Sequence, residues 1–236
     1  MSSVQELRET LNRMVNDLYN TPEEVLFYSF PMTVERAKVL AVHRVHYTIN
    51  RRDCWGAVQS RAPIEVKRLI WEHEKEELIC DPRFGGDHIT ASIQKASRLT
   101  GMTEEQILNA ELIPGCKAAF RAWLELARDS SWLKGLSAST ILERENSNRI
   151  VKGGGGSVRN SRRETEELRK VMADIPGHDV HNVADDDHCD MMEVVLYRYA
   201  TTEEAQRQVL EGAKDSTDFT RAFKGAIAAV LEKIAG

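Results

Sequence analysis

An all-α fold is what this sequence predicts, and three observations predict it. Helix-start signals recur along the chain, the periodic segments are rich in good helix formers, and no stretch of comparable length alternates apolar and polar residues as a strand would. With 236 residues, 42% hydrophobic and 29% charged, the chain can bury one substantial core, so a single domain over 1–236 is expected.

The elements follow in order. A polar, amphipathic start predicts a helix over 4–18. Thr21, Pro22, Glu23 and Glu24 then combine a capping hydroxyl, proline at the first helical position and a glutamate able to reach back to the cap. Longer periodic segments predict helices over 33–59 and, after Pro63, over 64–80. Helices over 87–99, 104–110, 115–129 and 133–150 come next, the second announced by Thr103 followed by Gln106. Lys152 to Asn160, with four consecutive glycines, cannot sustain a helix cheaply and is expected as a glycine-rich loop at 152–160. It lacks the lysine and hydroxyl of a phosphate-binding loop. The last expected helices cover 162–173, 179–199, 202–213 and 217–234, with Thr201 and Glu204 as a start signal. Trp71, Trp123 and Trp132 are expected to pack in the core or between helices.

Composition excludes some functions. A net charge of -5 and a pI near 5.9 argue against nucleic acid or an anionic membrane as partner. Cys54, Cys80, Cys116 and Cys189 are widely spaced. They read as reduced thiols, which suits a cytoplasmic location. The N-terminus lacks the apolar stretch of a secretory signal, and no segment approaches the roughly 20 apolar residues of a membrane span.

His181, Asp185 and His188 carry the sharpest chemical signal. At i, i+4 and i+7 they share one helix face, which continues through the apolar Met192 and Val195. Buried without partners, two histidines and an aspartate would be costly, and imidazole with carboxylate suits iron or manganese. The competing reading is a solvated acidic face, since Asp185, Asp186 and Asp187 are consecutive.

Further candidates lie upstream. Val66, Ile70, His73 and Glu77 share a face, which puts Glu77 on the core side of its helix. His88 follows a break at Pro82 and Gly85, and Glu74 and Asp81 are alternatives to Glu77 as the first carboxylate. In GLSASTILERENSNRIV the small residues permit close helix approach and turn Glu143 inward, with Glu145 as its competitor. His46 and Tyr47, within HRVHYTINRR, are candidate substrate contacts. Arg149 and Arg159, flanking the glycine-rich loop, are candidates to clamp a substrate carboxylate.

Glutamate then histidine, a glutamate on a middle helix, and H-x-x-x-D-x-x-H near the end resemble the heme-oxygenase-like diiron oxidases and oxygenases, from about His43 to Tyr197. The resemblance implies a bundle of about seven core helices. It implies Glu77, His88, Glu143, His181, Asp185 and His188 as ligands of two iron ions, with dioxygen as cosubstrate. The implied activity is oxidation of a small amine or amino-acid-derived substrate, by N-oxygenation, desaturation or oxidative carbon–carbon cleavage in specialised metabolism. The chain has no flavin or nicotinamide fingerprint, so an external electron donor is a further expectation, and a homodimer is another. Two other readings stand beside it: a metal-independent enzyme of the TenA or PqqC kind on the same scaffold, and a noncatalytic helical interaction protein.

Overall fold

The computed structural model describes residues 3–83, 85–147, 150, 167–172 and 178–235, without the side chains of 178–186, 191 and 192. All its regular elements are helices: α1 Val4–Leu18, α2 Pro22–Phe27, α3 Val34–Arg61, α4 Ile64–Leu78, α5 His88–Thr100, α6 Glu104–Leu108, α7 Pro114–Asp129, α8 Trp132–Asn146, α9 His178–Tyr199 and α10 Glu203–Leu231. The fold is all-α. Among the described residues no helix is long and apolar enough to cross a membrane.

Helix α8 is the axis. Every residue from Gly135 to Glu145 is buried, so it has no solvent face and must meet neighbours all round. Those neighbours are α10, α9, α3, α7 and α1. Of the small residues foreseen there, Gly135 admits a close neighbour, since a Cβ on it would lie 2.9 Å from Val58 Cγ2. Across the helix pair a Cβ on Gly212 of α10, not foreseen, would lie 2.2 Å from the Lys134 carbonyl oxygen, so only glycine lets those two backbones come so close. Leu136, Ile141 and Leu142 of α8 join Trp55, Val58, Phe223 and Ile227 in the main core. A smaller cluster of Ala37, Ala41, Val45, Ala96, Leu99, Ile107 and Leu168 lies along the other side of α3.

Several local expectations change. The Thr103–Gln106 capping box forms, but Thr21 turns its hydroxyl back to the Leu18 carbonyl at 2.7 Å. Glu24 makes no cap there; it is buried and accepts from Lys224 Nζ at 2.9 Å. The last helix is capped by Thr202 through Ala205, one residue later than expected. It also runs unbroken where two helices were expected. The polar stretch at its middle is absorbed by packing: Ser216 Oγ donates to the Ala138 carbonyl at 2.7 Å and accepts from Trp123 Nε1 at 2.9 Å. Trp71 is 58% exposed, because the buried face of α4 runs through Val66, Ile70, His73, Glu74 and Glu77. The glycine-rich loop at 152–160 lies outside the described residues.

Candidate metal centre

Four elements bring acids and histidines together beneath α8. Helix α4 supplies His73, Glu74, Glu76 and Glu77, the start of α5 supplies His88, α8 supplies Glu143, and α9 supplies His188. All but Glu76 are buried.

The turn before α5 makes one of these meetings possible. Gly85 takes a φ of 75°, which glycine adopts without a Cβ penalty, and the Asp81 amide donates to the Gly86 carbonyl at 2.7 Å. The chain doubles back, so that Asp81 Oδ2 accepts from His88 Nε2 at 2.9 Å. Arg83 closes the turn, donating to Asp81 Oδ1 through its amide at 2.9 Å and Nε at 2.8 Å. It also pairs with Glu76 and, at 3.1 Å, with Asp187.

The histidines are held in different ways. His88 sits between two carboxylates, with Nδ1 3.0 Å from Glu77 Oε1. His188 donates from Nε2 to Glu76 Oε2 at 2.9 Å, which leaves Nδ1 buried without a hydrogen bond, 3.8 Å from Glu77 Oε1. His73 follows the same plan: Nδ1 donates to Glu74 Oε1 at 2.9 Å, and Nε2 has no hydrogen bond, 3.7 Å from Glu143 Oε1. These tautomers follow from the partners, since only an N–H can donate to a carboxylate.

Two arginines of α3 face the acids. Arg51 Nη2 donates to Glu143 Oε1 at 3.0 Å and to the Ser139 carbonyl at 2.8 Å. Arg52 pairs with Glu77 and, at 3.4 Å, with Glu74. The charges shape each acidity. Burial pushes the Glu77 carboxyl up, but the Arg52 guanidinium and the hydrogen bond from His88 outweigh it and hold the group well below the usual range. Burial opposes the lowering of Glu143 too, and the positive charge beside it, that of the Arg51 guanidinium included, prevails. Burial lowers His188 and favours the neutral imidazole that binds metals. Burial works against the charge of His88, yet Glu77 and Asp81 raise it.

His73, Glu77 and His188 offer ligand atoms within 4.8 Å of one another. A nitrogen and oxygen donor set without thiolate suits iron or manganese more than structural zinc. Two buried imidazole nitrogens with no partner, each on a ring whose other nitrogen is tied to a carboxylate, fit the way proteins prepare metal ligands.

Of the sequence candidates, Glu77, His88, Glu143 and His188 meet in this cluster. Asp81 bonds His88 and Glu74 bonds His73, so both border it. Glu145 does not belong to it: its Oε1 pairs with Lys224 Nζ at 2.5 Å. His181 and Asp185 fall on α9, but their side chains lie outside the described ones, and Arg149 and Arg159 lie outside the described residues. His46 donates from Nε2 to the Ile107 carbonyl at 2.9 Å and so joins α3 to α6. Tyr47 stacks on Phe223 at 5.3 Å and meets Trp123 edge-on. It borders a separate cavity with Arg44, Glu145 and Lys224. The sequence marked His73 only as part of the core face and gave Arg51 and Arg52 no place at the site. A signal for the arginines existed: their helix carries apolar residues on both sides of them.

An all-helical bundle with a buried carboxylate–histidine cluster between its helices is the class of protein that fold and site define. Two solved structures share the bundle. A domain of unknown function with a heme oxygenase-like fold from Shewanella denitrificans OS217 is 14% identical with a TM-score of 0.69, covering 99% of this chain and 93% of that one. A TenA homologue protein from P. horikoshii OT3 is also 14% identical, with a TM-score of 0.63 over 94% of this chain and 98% of its own. At that identity they establish the heme oxygenase-like fold. The chain belongs to the TENA/THI-4/PQQC family, whose sequence model matches residues 33–172, more than half its length. That match ends before α9. No curated protein matches the sequence.

Proposed function

We propose that this family member is an oxygen-dependent diiron oxidase acting on a small amine or amino-acid-derived substrate. One observation carries the reading: His188, from the far end of the chain, turns a buried, unbonded Nδ1 toward Glu77 while Glu76 holds its other nitrogen. Glu77, His88, Glu143 and His188 would hold the metal, joined by His181 and Asp185, which precede His188 by seven and three positions in the sequence. When bound, a pair of ferrous ions supplies electrons and open coordination positions for dioxygen chemistry. The chain's own residues prepare the place. Glu76 fixes the His188 ring, Arg51 and Arg52 orient Glu143 and Glu77, and the fully buried Trp55 walls the cluster from water. Anaerobic addition of ferrous iron should give two irons per chain and an absorbance transient on exposure to dioxygen. Full activity on an identified substrate with iron removed would overturn the reading.

Family membership by itself favours a second reading, a metal-independent enzyme of the TenA kind. Such an enzyme needs an activated nucleophile or base. Burial pushes the Cys54 thiol up to about 11 and the Cys116 thiol up to about 12, and it raises Cys189 further. None of these three is poised as a thiolate. Normal turnover after replacing His188 and Glu77 would nevertheless establish this second reading.

A further inference from the structure

We infer that His73 is itself a metal ligand, an addition to the glutamate, aspartate and histidine set on which the proposed function rests. Its side chain is wholly out of water, so an unused nitrogen there has no solvent to satisfy it. Donation from Nδ1 to Glu74 at 2.9 Å leaves the lone pair on Nε2. That lone pair faces Glu143 Oε1 at 3.7 Å, too far for a hydrogen bond. Two acceptors so placed repel unless a cation lies between them. The spacing lies at the wide end of what one ion spans: donors about 2.1 Å from one metal, at about 90–125°, lie about 3.0–3.7 Å apart.

The ring cannot easily turn away. Its centroid is 5.0 Å from that of Trp55 and 4.3 Å from that of His188, which approaches edge-on. Glu74, which fixes the tautomer, is itself buried and pinned by Arg52. His73 and His188 are thus built alike, each with one nitrogen on a glutamate of α4 and the other bare toward a second glutamate. The rival occupant of the gap is a proton on Nε2, which would make His73 an imidazolium and exclude a metal from that side.

Cobalt(II) titration of chelator-treated full-length protein separates these cases, with visible absorbance and equilibrium dialysis as readouts. His73→Gln should weaken Co(II) binding by about 100-fold or more and change the spectrum. His73→Cys should instead keep binding and add a thiolate-to-cobalt charge-transfer band absent from the wild type; this gain of signal guards against misfolding of the first variant. Unchanged affinity and spectrum in His73→Gln, together with no new band in His73→Cys, would overturn the ligand role. If Glu77→Gln and His188→Gln lose binding in that case, the metal centre stands without His73. Absence of Co(II) binding by the wild type would overturn both.

Discussion

Arg51 and Glu143 meet at 3.0 Å with both side chains almost wholly out of water. Neither would be tolerated there alone, because a buried charge without its partner pays the full desolvation cost. Arg51→Met is therefore expected to cost about 3–5 kcal/mol. Denaturant unfolding of this variant, Glu143→Leu and the double variant forms a cycle that checks it. The double variant should be markedly more stable than the sum of the two losses predicts.

Glu76 should matter to metal binding without touching the metal, since it holds His188 Nε2 at 2.9 Å. Glu76→Ala is expected to weaken Co(II) affinity by about 10–100-fold. Calorimetric titration measures it, and wild-type affinity in the variant would count against His188 as a ligand.

At the other end of α8, Glu24 and Glu145 share Lys224. Burial pushes the Glu24 carboxyl up to about 7 against the pull of Lys224, with Glu145 adding to the rise. A raised carboxyl favours the folded state fully below the ordinary value of 4.5, and that advantage is lost as pH climbs through 7. From pH 5 to pH 8 the wild type should therefore lose about 2–3 kcal/mol relative to Glu24→Gln. Urea midpoints at the two pH values test this.

Gly212→Ala should loosen the contact between α8 and α10, since the new methyl would lie 2.2 Å from a backbone oxygen. Overpacking of this kind costs about 1–3 kcal/mol, and a carbonyl that cannot swing aside puts the value at the upper end. Thermal unfolding reads it directly.

Among the four cysteines, Cys80 is exposed while Cys54, Cys116 and Cys189 are buried. A thiol reagent at pH 8 should modify one cysteine rapidly in the native protein, and Cys80→Ser should remove that phase. Fast reaction of a second thiol in the Cys80→Ser variant would revive a nucleophilic role for the buried ones.

The sequence by itself determined what depends on neighbours along the chain. Thr103 and Gln106 stand three apart, so their capping box forms as read. Glu77 lies at helical spacing from Val66, Ile70 and His73, so its burial was legible. Periodicity could not separate Glu143 from Glu145, because α8 is buried on every side and has no solvent face to mark the difference. Tertiary packing decided it, giving Glu143 to Arg51 and Glu145 to Lys224. The same limit hid His73. On α4 it reads as one more core residue, and its unbonded nitrogen acquires meaning only beside Glu143, 70 positions later in the chain. Helical spacing assigns a side chain to a face, but which charge waits across that face is settled only when distant helices pack.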